Sequence, residues 1–244
     1  MTDRKEYSII VSGDMVIKIM TCAKCGHISV PFPCENCGAR EFVKTMTRRV
    51  ITLPDSIDPE QFGSACWELA KTPKAWKDDP ALVAFIDLAH PTDSYPYCVK
   101  CPYGAPGDLL VPRTTWAACK RYDTLKPKEL PDDKIVGSIW NYWLGIEKPD
   151  YYGKSRPGRF LPKKLWWSVP RLVNKSIRAE RAQEITREDV YAEGLQNTGE
   201  GWGPNGRLGS TDGYEDLWDS INKKRGYGWA KNPWVWVVEF ERAE

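Results

Sequence analysis

A chain of 244 residues with 41% hydrophobic content is long enough to bury a core, and 35 Lys and Arg against 33 Asp and Glu leave a net charge of only +2. That balance excludes a wholly disordered polyelectrolyte. The longest apolar runs are too short for a membrane-spanning helix, and the opening Met1-Thr-Asp-Arg-Lys-Glu6 has no apolar signal core, so a soluble cytoplasmic protein with no membrane partner is expected.

Residues 7–11 are rich in β-formers and predict a short strand; Gly13-Asp14 then leads into Met15, Val16, Ile19 and Met20, close to helical spacing. Next come Cys22-Ala-Lys-Cys25 and Cys34-Glu-Asn-Cys37, two Cys-x-x-Cys units whose spacing suits a tetrahedral zinc ion better than disulfides. Gly26 and Gly38 follow the pairs directly and let the backbone turn tightly around a metal. Four thiolate ligands leave no open coordination position, so this zinc is expected to be structural. A further pair, Cys98 and Cys101, either joins Cys66 and Cys119 in a second metal site or supplies buried thiols.

Residues 53–97 are rich in proline and charge and read as a surface elaboration, with helices across 59–71 and 80–89. Cys101-Pro-Tyr-Gly-Ala-Pro-Gly-Asp108 predicts a turn and 109–116 a strand, whose Pro112 calls for a sheet edge or a bulge. Another strand falls within 168–184. Thr186, with Glu188 and Asp189 in the following turn, marks a helix start, and Gly194 its stop. The glycine-rich stretch 197–213 predicts a loop long enough to serve as a lid. Tyr214, Leu217, Trp218 and Ile221 make one face of a helix that ends near Gly226. In the closing strand, 234–241, Trp234, Trp236, Val238 and Phe240 share a face that is either core or a stacking platform. Strands, few helices and many glycine and proline turns predict an α+β fold built on a small barrel. The sequence has no phosphate loop, dinucleotide fingerprint or nucleophile elbow.

Between 148 and 181 cations outnumber the two acids, Asp150 and Glu180, several-fold. Arg156, Arg159, Lys163 and Lys164 alternate there with Tyr151, Tyr152, Phe160, Trp166 and Trp167. Single-stranded nucleic acid needs phosphate neutralisation plus flat surfaces for bases, and this mixture supplies both. The plainer alternative is a solvated basic loop whose tryptophans are core.

Joined across the cysteine insert, Ser12-Gly-Asp-Met-Val-Ile-Lys-Ile-Met20 and Lys44-Thr-Met-Thr-Arg-Arg49 resemble the opening of the ASCH superfamily, whose fold is similar to the PUA barrel. Cys101–Asp108, Arg156-Pro157 with Leu161-Pro162, Ile185–Gly194 and Asn232–Phe240 are similar to later stretches of phage and prophage members, in the same order. The resemblance implies a PUA-like β-barrel with flanking helices over 1–20 and 44–244, a helical elaboration at about 54–97, and a zinc-knuckle-like module inserted at 21–43. It also implies a reader of nucleobases or of single-stranded, RNA-like nucleic acid in a pocket near Lys44, Thr47 and Glu193; the contacts expected are Arg48 and Arg49 and, from the cation-and-ring stretch, Arg156, Arg159, Lys163, Lys164 and Trp166. For a phage-encoded chain the compartment is the host cytoplasm.

One branch of the superfamily resembles an amidohydrolase that removes acetate from N4-acetylcytidine. Its lysine and threonine map to Lys44 and Thr47, and its glutamate to Glu193, though Phe42-Val43 stands where that branch has Gly-Arg. In such a set Lys44 activates Thr47 or polarises the amide carbonyl, with Glu193 relaying protons. The alternative role is structural, with Thr47 capping a turn and Lys44 paired to Glu193. A third functional class is a protein that docks on a host protein.

Overall fold

A computed structural model describes residues 5–10, 19, 23–25, 36–37, 44–53, 82–85, 97–131, 139–141, 148–195 and 212–243. The architecture is α+β: a mixed five-stranded sheet with a few short helices. Its strands are β1 (Glu6–Ile10), β2 (Met46–Val50), β5 (Leu109–Arg113), β8 (Leu172–Arg181) and β9 (Trp234–Arg242), in the order β1-β5-β8-β9-β2. Two small antiparallel pairs accompany it, β3 (Leu82–Phe85) with β4 (Tyr97–Lys100) and β6 (Trp116–Ala117) with β7 (Trp140–Asn141). The helices are α1 (Arg187–Ala192) and α2 (Asp212–Asn222). The chain divides into two compact units, one of residues 1–44, 108–173 and 241–244, the other of 45–107 and 174–240.

In unit one β1 runs parallel to β5, and β5 meets the first residues of β8 antiparallel, Leu109 opposite Val173 and Leu110 opposite Leu172. Pro112 therefore sits in an interior strand, not an edge strand. The ladder to β8 has already ended at Leu110, so no bond from the missing Pro112 N–H is required on that side. Leu110, Val111, Trp116, Ala117, Leu161, Leu165 and Leu172 are buried in this unit. Arg156 closes its loops: its N–H donates to Trp116 O at 2.7 Å and Trp116 N–H donates back at 3.0 Å.

In unit two β2 and β9 pair antiparallel, Met46 opposite Glu239 and Val50 opposite Val235. Met46, Val235 and Val237 pack with Ala182, Ile185, Leu195, Tyr214 and Trp218 in one buried cluster. Both faces of β9 are covered, since Trp234, Trp236, Val238 and Phe240 are buried as well. Helix α1 is short and strongly signalled. Thr186 Oγ1 accepts from Asp189 N–H at 3.1 Å, Asp189 Oδ2 accepts from Thr186 N–H at 3.2 Å, and Gly194 stops the helix at φ +84°.

Two further expectations change. Residues 82–85 are a strand, not part of a helix across 80–89; four apolar residues, Leu-Val-Ala-Phe, cannot be assigned by period alone, and the partner strand decides. On α2, Tyr214 and Trp218 are buried, but Leu217 and Ile221 of the same predicted face are 37% and 44% exposed. Of the helix expected across 15–20, Ile19 is helical and buried. The helix at 59–71 lies outside the described residues, as do most of the zinc module and most of the glycine-rich loop.

Candidate functional site

Among the described residues, a buried cluster of charged side chains lies in unit two. Strand alternation sends Met46 and Arg48 to one face of β2, and the Arg48 side chain is wholly buried there. Its Nη2 donates to Glu180 Oε1 at 2.6 Å and to Asp189 Oδ2 at 2.7 Å, while Nη1 lies 4.0 Å from Glu193 Oε1. Arg178 extends the cluster, with Nε donating to Glu180 Oε2 at 2.9 Å, Nη2 to Asp189 Oδ1 at 3.2 Å, and Nη1 to Glu239. Burial alone would lower the Arg48 pKa, but Tyr214, Glu180 and Glu193 outweigh it and raise it. Burial likewise pushes the Tyr214 hydroxyl well up, and the adjoining Glu193, which accepts its hydrogen bond, adds to that rise. Tyr214 is thus a neutral donor to a carboxylate.

The residues that resemblance singles out are all removed from water: Lys44 is 2% exposed, Thr47 1% and Glu193 8%. Thr45 N–H donates to Ala192 O at 2.9 Å, so the start of β2 is stitched to the end of α1, where Glu193 is the C-cap. Thr47 lies opposite Val238, on the other face of β2 from Arg48. Glu193 lies near Arg48, with Oε1 4.0 Å from Nη1. Arg49 shares the Thr47 face, opposite Trp236.

Unit one carries the second candidate. Pro157 and Pro162, with φ of −60° and −72°, lead into short 3₁₀ turns at Gly158–Phe160 and Lys163–Ser168. Three residues per turn place Lys163 beside Trp166, with Nζ 5.8 Å from the ring centroid. The Arg113 guanidinium lies 6.0 Å from the same ring, and Arg159 lies 4.8 Å from the Phe160 ring. Arg113 Nη1 donates to Arg159 O at 3.3 Å. Gly158 permits this approach, because a Cβ there would stand 2.6 Å from the Arg113 carbonyl oxygen. Phe160 is 50% exposed, Tyr151 56% and Trp167 38%.

Not all the predicted cations face outward. Arg156 is buried, donates from Nη2 to Tyr122 O at 3.2 Å and Leu125 O at 3.0 Å, and lies over Trp116. Lys164 is half-buried and donates to Lys128 O and Leu130 O. Arg159 and Lys163 are exposed, and Trp166 is half-buried with Nε1 donating to Leu161 O at 3.4 Å.

Sequence reading missed Arg113, although a cation closing an apolar strand at Leu-Leu-Val-Pro-Arg was a usable signal. It also missed the Arg178–Glu180 pair, whose spacing of two on a strand puts opposite charges on one face.

Cys25 and Cys37 lie in turns, the first exposed and the second half-buried; Cys22 and Cys34 lie outside the described residues. Among the described residues no group of three or more His, Cys, Asp or Glu is arranged to hold a metal ion. Burial pushes the Cys101 thiol up to about 12, so it stays protonated, and a hydrogen bond to Tyr103 backbone offsets this only in part. Among the described residues no helix is long and apolar enough to cross a membrane. No protein-family model, curated protein or solved structure matches this chain.

Proposed function

We propose that the protein binds single-stranded nucleic acid, RNA-like in character, through the cation-and-ring surface of unit one. The observation that supports this reading is the placing of Arg159 over the half-exposed Phe160 and of Lys163 against Trp166. Exposed rings offer faces to unstacked bases, and adjoining cations neutralise phosphates. On this reading the chain is a PUA-like ASCH barrel, and Cys22, Cys25, Cys34 and Cys37 hold a structural zinc. The turns at Cys25 and Cys37 and an all-thiolate donor set suit that ion.

Titrating a fluorescent single-stranded oligomer at rising salt tests the reading. Binding that weakens steeply with salt, and weakens further in the double variant Arg159→Glu, Lys163→Glu, is the expected result. No binding by the zinc-loaded protein at low salt would sink it.

A second reading, hydrolysis of an acylated nucleoside such as N4-acetylcytidine, is favoured by the burial of Lys44, Thr47 and Glu193, since catalytic groups are tuned where water is excluded. Cytidine release that is lost in Lys44→Ala and in Glu193→Ala would establish it over the binding reading.

A further inference from the structure

Among the described cations of unit one, Arg113 combines partial burial with the lack of a paired acid. Its Nη1 is engaged by the Arg159 carbonyl, its Nε is buried without a hydrogen-bond partner, and no carboxylate pairs with it among the described residues. Burial disfavours its charged form, with no acid opposing that effect. A guanidinium nevertheless stays charged at any working pH. A partly desolvated cation with no counter-ion raises the free energy of the protein, and an anion from outside lowers it.

The surroundings narrow the kind of anion. Trp166 carries Arg113 and Lys163 near one ring, and the Arg113 side chain also touches the backbone of Arg159, whose own side chain lies along Phe160. A lone inorganic anion would use the charges and leave the rings idle. A phosphodiester with its base attached uses both, because the phosphate meets the cations while the base covers an exposed ring.

We infer that Arg113 is the phosphate anchor of a single-stranded nucleic-acid site, with Phe160 as the stacking platform for the neighbouring base. This deepens the reading of unit one given above and rests on it. Arg113 is rooted in β5 and braced by the turn at Gly158, so it is held in place before ligand arrives, whereas Lys163 is an exposed side chain on a 3₁₀ turn.

The test is the salt dependence of affinity for single-stranded RNA and single-stranded DNA oligomers of one sequence. The variants are Arg113→Gln, Arg113→Lys and, as a control, Lys223→Gln, which removes an exposed cation paired with Asp219 in unit two. One phosphate contact contributes about 0.7 to the slope of log affinity against log salt on a single strand. Arg113→Gln is expected to lower the slope by about that amount on whichever strand binds, with Lys223→Gln unchanged. Arg113→Lys is expected to keep the slope but bind more weakly, since it keeps the charge and loses the fork, and it carries the test where Arg113→Gln does not fold. Binding by the unaltered protein with no change in slope for Arg113→Gln overturns the anchor and leaves the nucleic-acid reading standing. An Arg113→Lys affinity equal to the unaltered protein's overturns the role of the guanidinium. No binding of either strand overturns both.

Discussion

Arg48 in unit two and Arg113 in unit one are both drawn from water, and the chain treats their charges in opposite ways. Around Arg48 it assembles Glu180, Asp189 and Glu193, with Tyr214 behind them. Around Arg113 it offers a carbonyl and a tryptophan ring. A cation whose counter-charge is built in can hold a fold together but has little left for a ligand. One whose counter-charge is missing contributes little to the fold and keeps its charge for an outside partner.

Replacing both arginines is the sharpest way to break that contrast. Arg48→Met removes the buried cation shared by Glu180, Asp189 and Glu193, with Arg178 still paired to the first two, and breaking a buried pair from one side costs about 3–5 kcal/mol. A large fall in the midpoint of chemical unfolding is expected. Arg113→Gln should change the unfolding free energy by no more than about 0.5 kcal/mol, in the range of ordinary surface changes. Equal losses in the two variants would show that Arg113 is a structural residue after all.

Acid should find the same difference more gently. Burial would raise the Asp189 carboxyl pKa, but the Thr186 backbone N–H, Arg48 and Arg178 outweigh it and hold it below the ordinary value of 3.8. A carboxylate depressed in the folded state adds stability that is fully present above its unfolded pKa and is lost as pH falls through the folded one. Stability should therefore hold near neutrality, begin to fall as pH nears 3.8, and lose this contribution below the folded value. In Asp189→Asn that part of the acid slope should disappear, as followed by chemical unfolding at a series of pH values; an unchanged slope would remove Asp189 from the cluster's energetics.

How much of this was legible in the sequence follows from the range of the interactions. The α1 helix was readable to the residue because Thr186, Asp189 and Gly194 act within a few positions of one another. β9 was placed to within one residue, 234–241 against the observed 234–242, whereas β8 was expected only somewhere within 168–184 and runs over 172–181. The strand at 82–85 was not readable, because its pairing with 97–100 is non-local and its four apolar residues fit either period. Arg48 and Arg156 read as surface cations because their partners, Glu180 and Asp189 for one and the Tyr122 and Leu125 carbonyls for the other, lie far along the chain. Arg113 was passed over although it closes the apolar run Leu109–Arg113, because which acids stand near a cation is decided only in the folded chain.

Phe160 gives the smallest effect on the fold and the most selective one on binding. Its ring is half exposed, and the Arg159 guanidinium, 4.8 Å from its centroid, belongs to a residue that is itself exposed. Phe160→Ala therefore removes little buried area, and its thermal midpoint should stay close to that of the unaltered protein. Stacking of a base on a ring is worth about 1–3 kcal/mol, with little dependence on which base it is. Affinity for single strands should fall by that amount while the salt slope stays unchanged, because no cation has been lost. Arg113→Gln should do the reverse in kind, lowering the slope, so the pair divides base from phosphate within one surface. A Phe160→Ala protein that binds as tightly as before would mean that the phosphates alone are held. The exposed ring would then need another explanation, and the surface of unit one would be an electrostatic contact without a base platform.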